Sequence, residues 1–161
     1  MPARCKKPTL FLLSLALCAL LATPALAGRA LRHATGQEVY VPVYSHVYQG
    51  IKSRPYNLSA LLSIRNVDHT GSIAITSIKY YDDHGKMMKE YLAKPVTIGP
   101  MGTYEVHLPE RDQQGGSGAN FTVKWAATRP VTAPVIQSVM IGTASTQGIS
   151  FVCDGVVIEE H

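Results

Sequence analysis

A chain of 161 residues, 46% hydrophobic and 16% charged with a formal net charge of +4, has the size for one domain with its own core and is too apolar to stay disordered. Arg4, Lys6 and Lys7 stand in the first seven positions, so removing the leading segment leaves twelve basic against eleven acidic residues, a charge of +1. That balance, with no basic stripe elsewhere, excludes nucleic acid as an expected partner.

Residues 1–27 read as a complete export signal. The three basic residues are followed by an apolar run over 10–21, and Ala25-Leu26-Ala27 supplies the small-x-small pattern cut by a signal peptidase, with cleavage expected between Ala27 and Gly28. The run covers twelve residues, whereas crossing a hydrocarbon core of about 30 Å takes roughly 20. The expectation is a periplasmic or secreted protein with no stable membrane insertion after cleavage. Cys5 and Cys18 leave with the signal, and neither is placed for lipidation. The remaining Cys153 has no partner for an internal disulfide, so stability must come from an apolar core. Its place in an alternating segment marks it as a buried structural thiol rather than a nucleophile.

Residues 28–37 read as a short flexible linker, residues 38–158 as a single domain and 159–161 as a tail. The domain is built of short alternating runs separated by turn residues, with no stretch of helical period, which predicts an all-β fold. Strands are expected at 39–48, 58–65, 73–81, 87–91, 95–98, 104–108, 121–128, 136–142 and 149–157. The clearest are Leu58, Ala60, Leu62 and Ile64, and then Phe121, Val123, Trp125 and Ala127, each set alternating with more polar residues. In 73–81 the apolar phase changes between Ile75 and Ile78, which calls for a bulge near Thr76 or Ser77. Asp82-Asp83-His84-Gly85 has the residue types of a tight hairpin turn, and Gly99-Pro100-Met101-Gly102 marks a second bend. Eight or nine such strands suit an immunoglobulin-like antiparallel β-sandwich.

Candidate binding residues fall in three places. Tyr40, Tyr44, His46 and Tyr48 share one face if 39–48 is extended, and an exposed aromatic row offers flat apolar faces with hydrogen-bonding rims to a sugar or a protein chain. Pro42 removes a backbone donor from the same run and suggests an edge strand. The loop containing Gly116, Ser117 and Asn120 is the most glycine-dense, and its amides are able to cradle an anion, although no Lys-Ser/Thr pair makes it a nucleotide loop. Thr143, Ser145 and Gln147 lie in a second small, polar connection. The histidines show no metal-ligand spacing, and Asp82 to His84 is accounted for by turn chemistry. No Gly-x-Ser-x-Gly elbow or other catalytic pattern is present. No catalytic residue, metal ligand or cofactor is therefore expected.

The segments from Val39 to His46, Leu62 to Asn66, Tyr80 to Asp82, Gly115 to Phe121 and Met140 to Ser145, with Gln147 to Phe151, resemble an uncharacterised family of small exported bacterial proteins, the domain of unknown function 3124. The resemblance spans nearly the whole mature chain and implies no activity or site residue. The combined expectation is an exported, non-catalytic binding module with a protein partner in the cell envelope, by analogy with other β-sandwiches. The alternative is a glycan or metal-ion binder using the Tyr40/Tyr44/Tyr48 face or the glycine-rich loops, and an enzyme with a dispersed site comes after that.

Overall fold

The computed structural model describes residues 32–144 and 148–161. The proposed signal over 1–27, with its cleavage point at Ala27 and Gly28, lies outside them. The described residues belong to the compact unit Leu31–His161 and form twelve strands and no helix: β1 His33–Pro42, β2 His46–Gln49, β3 Arg54–Asn57, β4 Ser59–Arg65, β5 Ile73–Tyr81, β6 Met87–Glu90, β7 Val96–Ile98, β8 Thr103–Leu108, β9 Asn120–Thr132, β10 Val135–Gly142, β11 Ile149–Asp154 and β12 Val156–Glu160.

A six-stranded sheet runs β12-β1-β9-β5-β6, with β7 also on β5, and a four-stranded sheet runs β11-β10-β4-β8. The β2–β3 hairpin forms a small sheet of its own. The strand pairs are antiparallel, as the alternating sequence predicts. The inner faces supply one core, in which Val41, Leu62, Ile64, Ile75, Phe121, Val123 and Trp125 are buried. Ile73, Ile75, Ile78 and Tyr80 all reach it because β5 slips register between Ile75 and Ser77, leaving Thr76 as the extra residue. A regular strand would have turned Ile78 and Tyr80 outward.

Two expected runs divide and β3, which the alternation did not mark, is added, raising the strand count from the nine expected to twelve among the described residues. The 39–48 run breaks after Pro42 into β1 and β2, and 149–157 breaks at Gly155 into β11 and β12. At Gly155 the chain leaves the four-stranded sheet, where β11 pairs with β10, and joins the six-stranded sheet, where β12 pairs with β1. A Cβ at this corner would stand 2.6 Å from Val39 Cγ1 and 2.8 Å from the Ile136 carbonyl oxygen, so only glycine lets the strand pass this close.

The linker reading of 28–37 is corrected from His33 onward. Ala34 and Gln37 are buried, and β1 pairs with β9 from His33. Their small and polar composition hides a strand in which Ala34, Gly36 and Gln37 are all buried, Gln37 opposite the buried Trp125 and Gly36 opposite the exposed Ala126. The tail reading of 159–161 is corrected for the same reason, because Glu159 and Glu160 pair with Glu38 and Gln37.

Candidate functional site

Strand β1 ends at Pro42, opposite Asn120 of β9. Pairing with β12 has already stopped at Tyr40 and Val156, so the missing proline donor costs no ladder bond. The expected edge strand is instead an interior one, flanked by β12 and β9, with its proline placed beyond the end of one neighbour. The Ser138 hydroxyl donates to the Pro42 carbonyl, and the chain then turns away from the sheet. The Val43 amide donates to the Ala119 carbonyl, Ser45 to Gly116 and Leu58 to Ser45, each at 3.0 Å.

That departure divides the expected aromatic row. Tyr40 stays on the six-stranded sheet between Thr122 and Val156. Tyr44 is half-buried against the core, with its ring edge-on to Phe151 at 5.7 Å. His46 and Tyr48 stand on the separate hairpin with ring centroids 5.1 Å apart. Of the four, only Tyr48 is largely exposed, at 60%.

The glycine-dense loop is packed against its neighbours rather than open. The carbonyls of Gly115, Gly116 and Ala119 accept N–H groups from Asp83, Ser45 and Val43. A Cβ at Gly115 would collide with the Tyr80 hydroxyl, and one at Gly116 with the Asp83 carboxylate. With a carboxylate already against Gly116, the anion-cradle reading is withdrawn, since a second negative charge would be repelled. Ser117 is half-buried, and Asn120 lies in the ladder between Pro42 and Tyr81. Thr143 is exposed beyond β10, at the same end of the sandwich, because β1, β5 and β10 all end there while β9 begins there. Ser145 and Gln147 lie outside the described residues.

Asp82, Asp83 and His84 place one potential ligand atom each within 4.8 Å of one another. Turn chemistry occupies much of this set. Asp82 Oδ1 accepts the N–H of Lys86 at 2.8 Å and of His84 at 2.9 Å, and these bonds, Lys86 foremost, hold its pKa below the usual carboxylate range. His84 Nδ1 lies 2.6 Å from Asp83 Oδ1, and Gly85 takes a φ of 77° in the turn. Cys153 faces inward, as expected, and burial is the main cause raising its thiol pKa. That environment suppresses the thiolate needed for nucleophilic chemistry.

Two features escaped the sequence reading. The first is an apolar stripe on the outside of β10, β11 and β12. Ile141 is 46% exposed, Val152 54%, Val156 58% and Ile158 57%. Along 151–158 the exposed residues are 152, 154, 156 and 158, so exposure alternates through the corner, with Val152 on the four-stranded sheet and Val156 and Ile158 on the six-stranded one. Between them Asp154 is bent aside, its Oδ1 accepting Gln137 Nε2 at 2.6 Å. Half-buried Leu61 and Val139 continue the row across the sheet from Val152. An alternating segment in the sequence does not say which of its two apolar sets is left outside.

The second is a polar node at the opposite end. Asn66 Nδ2 donates to the carbonyls of Gly71, Gly99 and Ile98 at 2.8, 2.9 and 3.2 Å. Asp68 Oδ1 accepts the amides of Gly71 and Thr70, and Oδ2 accepts that of Thr132. These bonds hold the Asp68 carboxyl far below the ordinary range, the Thr132 N–H foremost.

A family model described as a protein of unknown function (DUF3124) matches residues 36–158. No curated protein matches the chain. Among solved structures, the crystal structure of Thermotoga maritima 1070 is similar with a TM-score of 0.46 and 13% identity, over 78% of this chain and 97% of that one.

Proposed function

The chain belongs to this family of unknown function, and we propose that it is exported by residues 1–27, cut before Gly28, and acts in the cell envelope as a non-catalytic binding module for a protein partner. The observation that carries the reading is the exposed apolar stripe through Val152, Val156 and Ile158 on terminal strands of both sheets. Burying one such side chain completely is worth about 1.5–3 kcal/mol, and terminal strands add unpaired backbone groups suited to strand addition. The other terminal strands expose mainly polar residues: β8 exposes Thr103, Glu105 and His107, and β6 exposes Lys89 and Glu90 with Met87 as its one exposed apolar residue. Glu159 and Glu160 follow the stripe and are exposed, so the partner segment is extended, apolar on alternate residues and basic at one end.

The glycan or metal alternative, as placed on the Tyr40/Tyr44/Tyr48 face, rests on a row that the fold divides. The test is crosslinking of the tagged, exported protein in its native cell, followed by affinity purification and mass spectrometry. An envelope partner recovered near stoichiometry with the wild type and lost from the Val152→Lys/Val156→Lys variant supports the proposal. Equal recovery with both proteins, or recovery of the wild type alone, overturns it.

A further inference from the structure

We infer that a cleft at the end of the sandwich remote from the glycine-rich loops binds a small carboxylated polyol, such as a uronic or aldonic acid, with Arg129 anchoring the carboxylate. This site is separate from the β11–β12 stripe, and neither proposal depends on the other.

The cleft arises from a loss of strand pairing. Ala126 of β9 pairs with both Gly36 and Ala74, but the next paired residue toward β1 is Val131, opposite Ala34. Residues 127–130 thus have no partner residue on either neighbouring strand, and their backbone is released from the ladder. The space beside them has a volume of about 470 Å³, within the roughly 300–1,000 Å³ common for small-molecule sites. Ala74 and Ala126 keep its wall small and apolar, which suits the C–H face of a sugar. Ser72, Thr97 and Thr128 line it together with Thr70, and a hydroxyl that both donates and accepts is what polyol recognition requires, the Thr70 proton alone being already given to Asp68.

Arg129 is held in place yet leaves most of its donors unused. Its Nη2 donates to Thr70 Oγ1 at 2.6 Å, and the Thr70 hydroxyl donates to Asp68 Oδ1 at 3.3 Å. Asp68 is itself fastened by the amides of Thr70, Gly71 and Thr132, so the relay fixes the guanidinium from behind. Among the described residues no carboxylate lies within 4.0 Å of Arg129. A guanidinium offers five N–H donors in a planar fork matched to a carboxylate. One cation with the Asp68 carboxylate behind it favours a monoanion over a phosphate dianion.

The experiment is titration of the folded mature protein, followed by amide NMR shifts, with D-glucuronate, D-galacturonate and D-gluconate. Glucose, acetate and inorganic phosphate serve as comparison probes. Saturable shifts confined to residues 70–74, 97 and 126–129 are expected for at least one sugar acid, with at least tenfold weaker binding of acetate, glucose and phosphate. Arg129→Gln should weaken that binding at least tenfold, Arg129→Lys should restore it only in part, and Ala126→Phe should block the cleft by volume, with the amide spectrum of each variant confirming its fold. The inference is overturned if no sugar acid saturates at millimolar concentration, if acetate or phosphate binds as well, or if folded Arg129→Gln binds unchanged.

Discussion

Asp68 Oδ2 and the backbone amide of Thr132, 64 positions apart in the chain, are joined by a hydrogen bond of 2.9 Å that fastens the connection after β4 to the far end of β9. The bond is made to the ionised carboxylate, and protonation weakens it. Because the folded pKa lies below the unfolded value near 3.8, the contribution to stability is complete above that value and is lost as pH falls through and beneath it. Urea unfolding at pH 7 and pH 3 should show wild type losing more stability on acidification than Asp68→Asn. Equal losses would mean that Asp68 does not drive the acid sensitivity.

The bulge at Thr76 predicts an uneven response to deletion. Removing Thr76 leaves Ile73, Ile75, Ile78 and Tyr80 in one alternating phase, so the variant should fold. Removing Lys79, three positions on, turns the buried Tyr80 to the outer face and should abolish cooperative unfolding. Thermal melts of the two variants decide this, and equal tolerance would show that register in β5 is not enforced.

Gly155→Ala should destabilise the protein by about 1–3 kcal/mol, the usual cost of forcing atoms into a packed site, because the new Cβ meets Ile136 and Val39. Gly99→Ala, whose Cβ enters open space, should stay within about 0.5 kcal/mol. Denaturant midpoints of the pair provide the comparison.

Trp125 is buried, and its Nε1 has no hydrogen-bond partner. Trp125→Phe therefore removes volume without breaking a bond and should cost less than Trp125→Ala, for which about 3–5 kcal/mol is expected. If Phe cost as much as Ala, Nε1 would be making a bond that matters, such as one to an internal water.

Cleavage before Gly28 predicts that N-terminal sequencing of the exported protein begins Gly28-Arg29-Ala30. Ala27→Arg should leave the signal attached. Recovery of uncleaved wild type from the cytoplasm would remove the envelope from the proposed function.

Much of the fold was legible because a half-buried strand writes its inner face into every second residue. Leu58 to Ile64 and Phe121 to Trp125 are buried as their alternation requires, and the Thr76 bulge could be located from one phase change. The candidate site was far less legible. Tyr40 and Tyr44 are in phase along the chain, yet Pro42 lies between them and the Ser45 bonds to Gly116 and Leu58 carry the chain off the sheet. His33 to Gln37 looked like a linker because a strand that buries Ala, Gly and Gln carries little apolar signal.

By itself the sequence determined the all-β class, most strand positions, the β5 bulge and the family resemblance, because each is written in local pattern or motif. Only the tertiary structure decided that Gly155 carries one strand from sheet to sheet, that Val152 and Val156 stay outside, and that Arg129 meets Thr70 beside the Ala126 wall. Those facts depend on which strands become neighbours, and the pairing of residues tens of positions apart leaves no periodic trace in a single chain.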